Sequence, residues 1–317
     1  MLSTVENVSS ILVFTLTQLD ETMENKYMLF SLTALCYHFI LLCNITVIVC
    51  IASDKRLHEP MYIFLCNLCI NALYGTAGFY PKFMYDLLSQ IPVISYSGCM
   101  IQIFVIYSSV LCDYSILTVM AYDRYVAICR PLEYHSEMTN IKIGTCILFC
   151  WLAPLFSMGI LVLLTSRLTL CGSDIGKLYC ENWAVVKLAC YTTTVNNVIG
   201  YIVIIIYLGH VVLITVSYIH LIGKCRKSIE DRYRFMQTCM PHLLALFNVT
   251  VALLFDVLYS RYGSTSFSQS VRNFLALEFL FIPPILNPII YGLKLTKIRK
   301  KKFNYHQSNC KTRLKSI

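Results

Sequence analysis

VMAYDRYVAICRPLEYH (119–135) sets an acid, a base and a tyrosine in a row, Asp123, Arg124 and Tyr125, at the end of a long apolar segment. Charge pairs of this kind are costly at the edge of a bilayer, so the stretch raises the question of what surrounds it. The chain has 317 residues, of which 57% are hydrophobic and only 14% charged, and its mean hydropathy is +0.64. That leaves too little polar surface for a water-soluble globule of this size. A membrane-crossing helix needs about 20 mostly apolar residues. Seven such runs occur, centred near Leu41, Ile70, Val110, Pro154, Ile205, Ala252 and Pro284. The expected fold class is therefore an all-α membrane protein, a seven-transmembrane helix bundle. A short amphipathic eighth helix is expected over 295–303, where basic and apolar residues alternate along the inner surface.

Charge sets the orientation. The short segments between alternate runs, together with Arg124 and the tail, hold 19 of the 26 Lys and Arg; Lys26, Lys82, Arg167, Lys177, Lys187, Arg261 and Arg272 fall on the other side. An excess of Lys and Arg marks the cytoplasmic side, which puts the N-terminus outside and the tail within. The chain divides into an extracellular N-terminus (1–26), a seven-span domain (27–293) and a cytoplasmic tail (294–317). The net charge of +9 is accounted for by anionic lipid at the cytoplasmic face and implies no nucleic acid. No secretory signal pattern precedes the first run, so that run directs insertion, at the plasma membrane. Asn7-Val8-Ser9 is a glycosylation sequon on the outer side, whereas those at Asn44 and Asn248 lie inside helices.

Most of the 16 cysteines lie in the helical runs, where a reduced thiol behaves as a small apolar group. Cys99, Cys171, Cys180 and Cys190 face the oxidising side and suggest two disulfides, for which three pairings exist. Cys99–Cys180 with Cys171–Cys190 is preferred to a Cys99–Cys190 bond, because it pins the middle of the long second outer loop to the third helix. No nucleophile elbow, zincin histidine pair or cluster with metal-ligand spacing occurs, so neither catalysis, a cofactor nor a metal is expected. An odd helix number without internal repeats also argues against the duplicated transporter designs, although a transporter or channel is the alternative class.

Asp123 can neutralise Arg124 in a closed bundle and release it to a partner when helices part. A second device, Asn287-Pro288-Ile289-Ile290-Tyr291, ends the seventh run, where Pro288 frees a carbonyl that Asn287 can satisfy and Tyr291 can swing inward. These motifs resemble those of rhodopsin-like G-protein-coupled receptors. The words LHEPMYIFLCNL (57–68), SYSGCMIQ (95–102), MAYDRYVAICRPLEY (120–134), Ser217-Tyr218, RFMQTCMPHL (234–243) and PPILNPIIYGLK (283–294) narrow the resemblance to vertebrate olfactory receptors, from about Met28 to Lys302. SRYG (260–263) is similar to a stretch of their fish-like class I branch.

The resemblance implies a small-molecule odorant bound in the outer half of the bundle and a stimulatory heterotrimeric G protein at the inner face. Tyr218 and Tyr291 would stabilise the open arrangement and His242 the closed one. Helical spacing from Arg124 puts Ile106, Tyr107, Val110 and Leu111 toward the ligand. Ile202, Val203 and Ile206 take that part on the fifth helix, and Thr250, Leu253, Leu254 and Val257 on the sixth. Arg261, at the outer end of the sixth, either pairs with a ligand carboxylate or is a solvated loop residue. Glu278 either meets a cationic ligand group or bridges helices, and the bridge is favoured. One departure stands out. Where the family has an aspartate in the second helix, as part of a sodium network, this chain has Ala72, so Asp113 must take up a proton or pair elsewhere.

Overall fold

Glycine and other small residues decide how closely the central helices meet. The computed structural model describes residues 13–19, 23–224, 240, 243–251, 253–255, 257, 261, 280–286 and 288. Within these, α2 (Pro60–Leu88) and α3 (Tyr96–Cys129) touch where α2 has Gly75 and Gly78. A β-carbon on Gly75 would lie 2.3 Å from Ser109 Oγ, and one on Gly78 would lie 2.6 Å from Val105 Cγ1. Such an approach lets polar groups close across the interface. Asn71 Nδ2 donates to Ser109 O at 2.7 Å, and Gln102 Nε2 donates to Gly78 O at 3.1 Å.

Around this pair stand α1 (Met23–Ser53), α5 (Asn140–Ser166) and α7 (Thr194–Lys224). All five are long and apolar enough to cross a membrane, since 27 residues already span about 40 Å against the roughly 30 Å hydrocarbon layer. In α3, 72% of the apolar window is buried, against 22% in α1 and 17% in α7, so α3 is the axis and the others turn apolar faces outward. The helix starts are written locally. Pro60 opens α2, the Ser95 side chain accepts from Gly98 N at the head of α3, and Thr139 does the same for Lys142 N at the head of α5. Two short helices, α4 (Tyr134–Glu137) and α6 (Asn182–Val186), lie in the connections from α3 to α5 and from α5 to α7.

The apolar stretch Leu243–Phe255 and the helical residues 280–286 belong to the sixth and seventh runs. Most of the rest of those runs, and the basic helix expected over 295–303, fall outside the described residues.

The all-α expectation needs amending at the end of the bundle that carries the disulfides, where a three-stranded sheet forms. Strand β1 (Val13–Leu16) lies between β2 (Val93–Ser95), antiparallel, and β3 (Asp174–Ile175), parallel, with Phe14 opposite Ile94 and Leu16 opposite Ile175. A period-2 pattern is too short to be distinctive in four residues, yet it is real: Phe14 and Leu16 are buried while Val13 is exposed. Phe14 stacks on Tyr96 with ring centroids 5.8 Å apart. The loop that supplies β3 is bonded to α3 through Cys99–Cys180 and closed on itself through Cys171–Cys190.

Alanine for glycine in an open helix normally stabilises by about 1 kcal/mol. Gly159 in α5 has open space beside it, and Gly159→Ala should follow that rule. Gly75→Ala should instead destabilise by about 1–3 kcal/mol through overpacking. Thermal unfolding of the purified variants checks the opposite signs.

Candidate functional site

Tyr107, Leu111 and Tyr114, spaced i, i+4, i+7 on α3, face a cavity of about 90 Å³ between α3, α5, α7 and α6. By a comparable measure a single water needs roughly 10–15 Å³, so the space admits a small organic molecule. Val203, Leu253, Leu254 and Val257 complete the apolar wall proposed from spacing.

The other expected residues are elsewhere. Ile106 and Val110 are buried but do not line the cavity; Ile106 packs toward Gly78 of α2. Ile202 and Ile206 are exposed, on the outer side of α7, whose cavity stripe is Gly200, Val203, Ile204 and Tyr207. α7 is apolar all round, so its pattern holds no marker for which face points inward. Thr250 is not among the lining residues, and its hydroxyl donates to Leu246 O at 2.7 Å.

Arg261 also lies off the lining. Its guanidinium stands 4.3 Å from the ring centroids of both Trp183 and Tyr201 and donates to Asn197 Oδ1. Gly200 makes that fit possible, because a β-carbon there would lie 2.8 Å from Arg261 Nη2. Cation–π contacts of this kind tie α6 and α7 to the outer end of the sixth run.

Spacing along the helices missed the roof. Glu181, Asn182 and Trp183 line the cavity, as do Met158 and Leu161 of α5. The first three follow Cys180, and a cysteine tied to α3 must carry its neighbours over the bundle. That signal was present in the sequence. Glu181 is buried and its carboxylate meets Lys177 Nζ at 2.8 Å. Nearby, burial lowers the Lys187 pKa below the ordinary lysine value, and the Glu181 carboxylate opposes that shift.

Deeper in the bundle, Asp113 finds the partner that Ala72 does not provide. Asn71 Nδ2 donates to Asp113 Oδ1 at 2.8 Å. A sodium ion does not fit these residues, since one carboxylate is replaced by Ala72 and the other already faces an N–H donor. On the far side, Asn44 Nδ2 donates to Pro284 O at 3.1 Å and joins α1 to the seventh run.

At the inner end of α3, Asp123 is fully buried. Arg124 Nε donates to its Oδ2 at 2.9 Å, with Nη2 on the same oxygen, while Tyr134 Oη donates to Oδ1 at 2.8 Å. Burial and the adjacent carboxylate raise the Tyr134 pKa above the ordinary phenol value, so the hydroxyl keeps its proton. Tyr125 packs against the core, and Tyr218 and Pro288 are buried. His242, Asn287, Tyr291, Glu278 and Asn7 lie outside the described residues.

A family model described as "Olfactory receptor" matches residues 33–305. The chain belongs to the olfactory receptor family. It is 34% identical over 298 residues to olfactory receptor 1D5 of Pan troglodytes, covering 91% of this chain and 93% of that one. It is 33% identical over 289 residues to olfactory receptor 1D2 of Homo sapiens (89% and 90%), and 33% over 270 residues to olfactory receptor 52D1 of Homo sapiens (84% and 85%). This olfactory receptor is therefore an odorant-responsive, multi-pass membrane protein of a signalling family, not an enzyme.

Tyr134→Phe would leave Asp123 Oδ1 without its donor in a buried site. Losing such a bond costs about 1.5–3 kcal/mol, and the cost falls on the arrangement in which Asp123 holds Arg124. Basal cyclic AMP in transfected cells should rise several-fold at equal surface expression; an unchanged basal level would count against Tyr134 as a restraint.

Proposed function

We propose that this olfactory receptor is a seven-span protein of the plasma membrane. Its N-terminus is outside, and the receptor couples occupancy of the outer cavity to a stimulatory heterotrimeric G protein inside. The observation that carries this reading is that one rigid helix holds both ends of the machine. α3 lines the cavity with Tyr107, Leu111 and Tyr114 and bears Asp123–Arg124 about 18 Å further along, at 1.5 Å per residue from Leu111.

Ligand binding favours an arrangement in which the inner ends of the third, fifth and sixth spans part. Arg124 then leaves Asp123 and reaches the G protein, with Tyr218 and Tyr291 stabilising the open state, His242 the closed one, and Asn287-Pro288 acting as the pivot. Leu132, 99% exposed between α3 and α4, offers an apolar anchor on the same face. The basic segment 295–303 lies along the inner leaflet as an eighth helix, and the outer N-terminus (1–26) is glycosylated at Asn7. The two disulfides hold the roof in the oxidising exterior. Arg261, clamped between Trp183 and Tyr201, acts on the ligand by positioning Trp183.

Arg124→Ala should abolish agonist-dependent cyclic AMP while leaving the receptor at the cell surface. A normal response in that variant would refute the switch, and solute flux without nucleotide exchange on any G protein would place the chain among transporters or channels.

A further inference from the structure

Two buried hydrogen-bond donors border the outer cavity without a well-formed hydrogen bond among the described residues. The Tyr114 hydroxyl, on a side chain 1% exposed, forms no hydrogen bond of good geometry; its polar neighbour is Thr250, whose own proton goes to Leu246 O and whose oxygen is a weakly placed acceptor that a ligand oxygen can replace. The Trp183 indole N–H, hidden from solvent on a half-buried side chain, makes none either. Both residues line the cavity. Buried polar groups are almost always paired, so two poorly paired donors facing one space suit a ligand that accepts hydrogen bonds.

The chemistry of the two groups restricts that molecule. An indole N–H can only donate, so the ligand must bring an acceptor to Trp183. The stacked Arg261 guanidinium holds the indole ring in place. Tyr114 lies two helical turns below Tyr107, about 10 Å deeper, and puts the second donor at the inner end. Among the described lining residues only Glu181 is charged, and it is already neutralised by Lys177 at 2.8 Å. A carboxylate finds no cation among the described lining residues, and an ammonium has nothing to offer Trp183. What remains is an apolar body carrying a neutral accepting oxygen.

We propose that the cavity selects neutral carbonyl compounds, such as ketones, esters and lactones, whose oxygen accepts from Trp183 at the outer end or Tyr114 at the inner end. This rests on the reading of the cavity as the odorant site and adds the ligand class and the two residues that set it. An oxygen at either end of the chain satisfies one donor, and a diester or keto ester of matching length satisfies both.

Purified full-length receptor is titrated with matched eight-carbon probes, 2-octanone, methyl heptanoate, octane, octanoate and octylamine, and binding is read as the rise in unfolding temperature. Cyclic AMP is read in parallel in transfected cells. The ketone and ester should stabilise the wild type, and octane, octanoate and octylamine should do so at least about tenfold more weakly. Tyr114→Phe and Trp183→Phe, which keep the ring, should each weaken a probe that uses that end by about three- to tenfold.

Octane or an ionised probe binding as tightly as the ketone overturns the proposal. So does carbonyl binding that is unchanged in both variants. If either variant fails to unfold cooperatively, the comparison of ketone with octane on the wild type still decides. Carbonyl binding without cyclic AMP would uphold this ligand class and refute the signalling reading, whereas cyclic AMP from octanoate or octylamine with no carbonyl binding would do the reverse.

Discussion

The bond between Cys99 and Cys180 is the constraint on which the outer half of the molecule depends. Without it, the loop after α5 is a long excursion with no reason to lie over the bundle. With it, residue 180 is fixed at the head of α3, and Glu181, Asn182 and Trp183 fall over the cavity. Gln102 reinforces the junction, because its Oε1 accepts from Cys180 N at 2.9 Å while its Nε2 reaches Gly78 O on α2. One buried amide thus reads three segments at once, and each of its bonds is made where no water competes.

The same loop organises the sheet. β3 leaves the loop to pair with β1, and β1 pairs in turn with the segment that leads into α3. The N-terminal strand is thereby covered on both edges, and Phe14 and Leu16 are buried beneath it. This end of the bundle is roofed by three pieces of chain held by two disulfides and a backbone ladder.

Within the bundle, polar residues act as specific connectors. Asn44 links α1 to Pro284, Asn71 links α2 to both Ser109 O and Asp113, and Trp151 Nε1 donates to Asn67 Oδ1 at 3.1 Å. In an apolar surrounding each such bond fixes helix register, since an orphaned amide has no solvent to turn to. α3 takes part in two of these four contacts and also carries the cavity wall and the Asp123–Arg124 pair. A shift of this one helix is felt at both ends, because packed interiors repack in discrete steps and do not deform continuously.

Hydropathy alone determined that the chain crosses a membrane, since a 20-residue apolar run has few other uses, and the words around Asp123 and Pro288 were enough to point to the family. The motif 120–134 even contained Tyr134, though nothing in it said that the phenol would cap Asp123. Helical phase was another matter. α3 has small and polar residues on its α2 side, Ser109 and Asp113, so its inward stripe could be approximated, and Tyr107 and Leu111 line the cavity. α7 is uniformly apolar, and Ile202 and Val203 are equally suited to lipid or to ligand; which one faces inward was decided only by how α7 packs against α3. The same holds for Arg261. A sequence shows a cation at the end of a span, but only the folded chain brings Trp183, Tyr201 and Asn197 from two other segments around it. Burial and length are properties of a segment and can be read along it, whereas a site depends on the relative rotation of several helices, which is fixed by contacts among residues far apart in the chain.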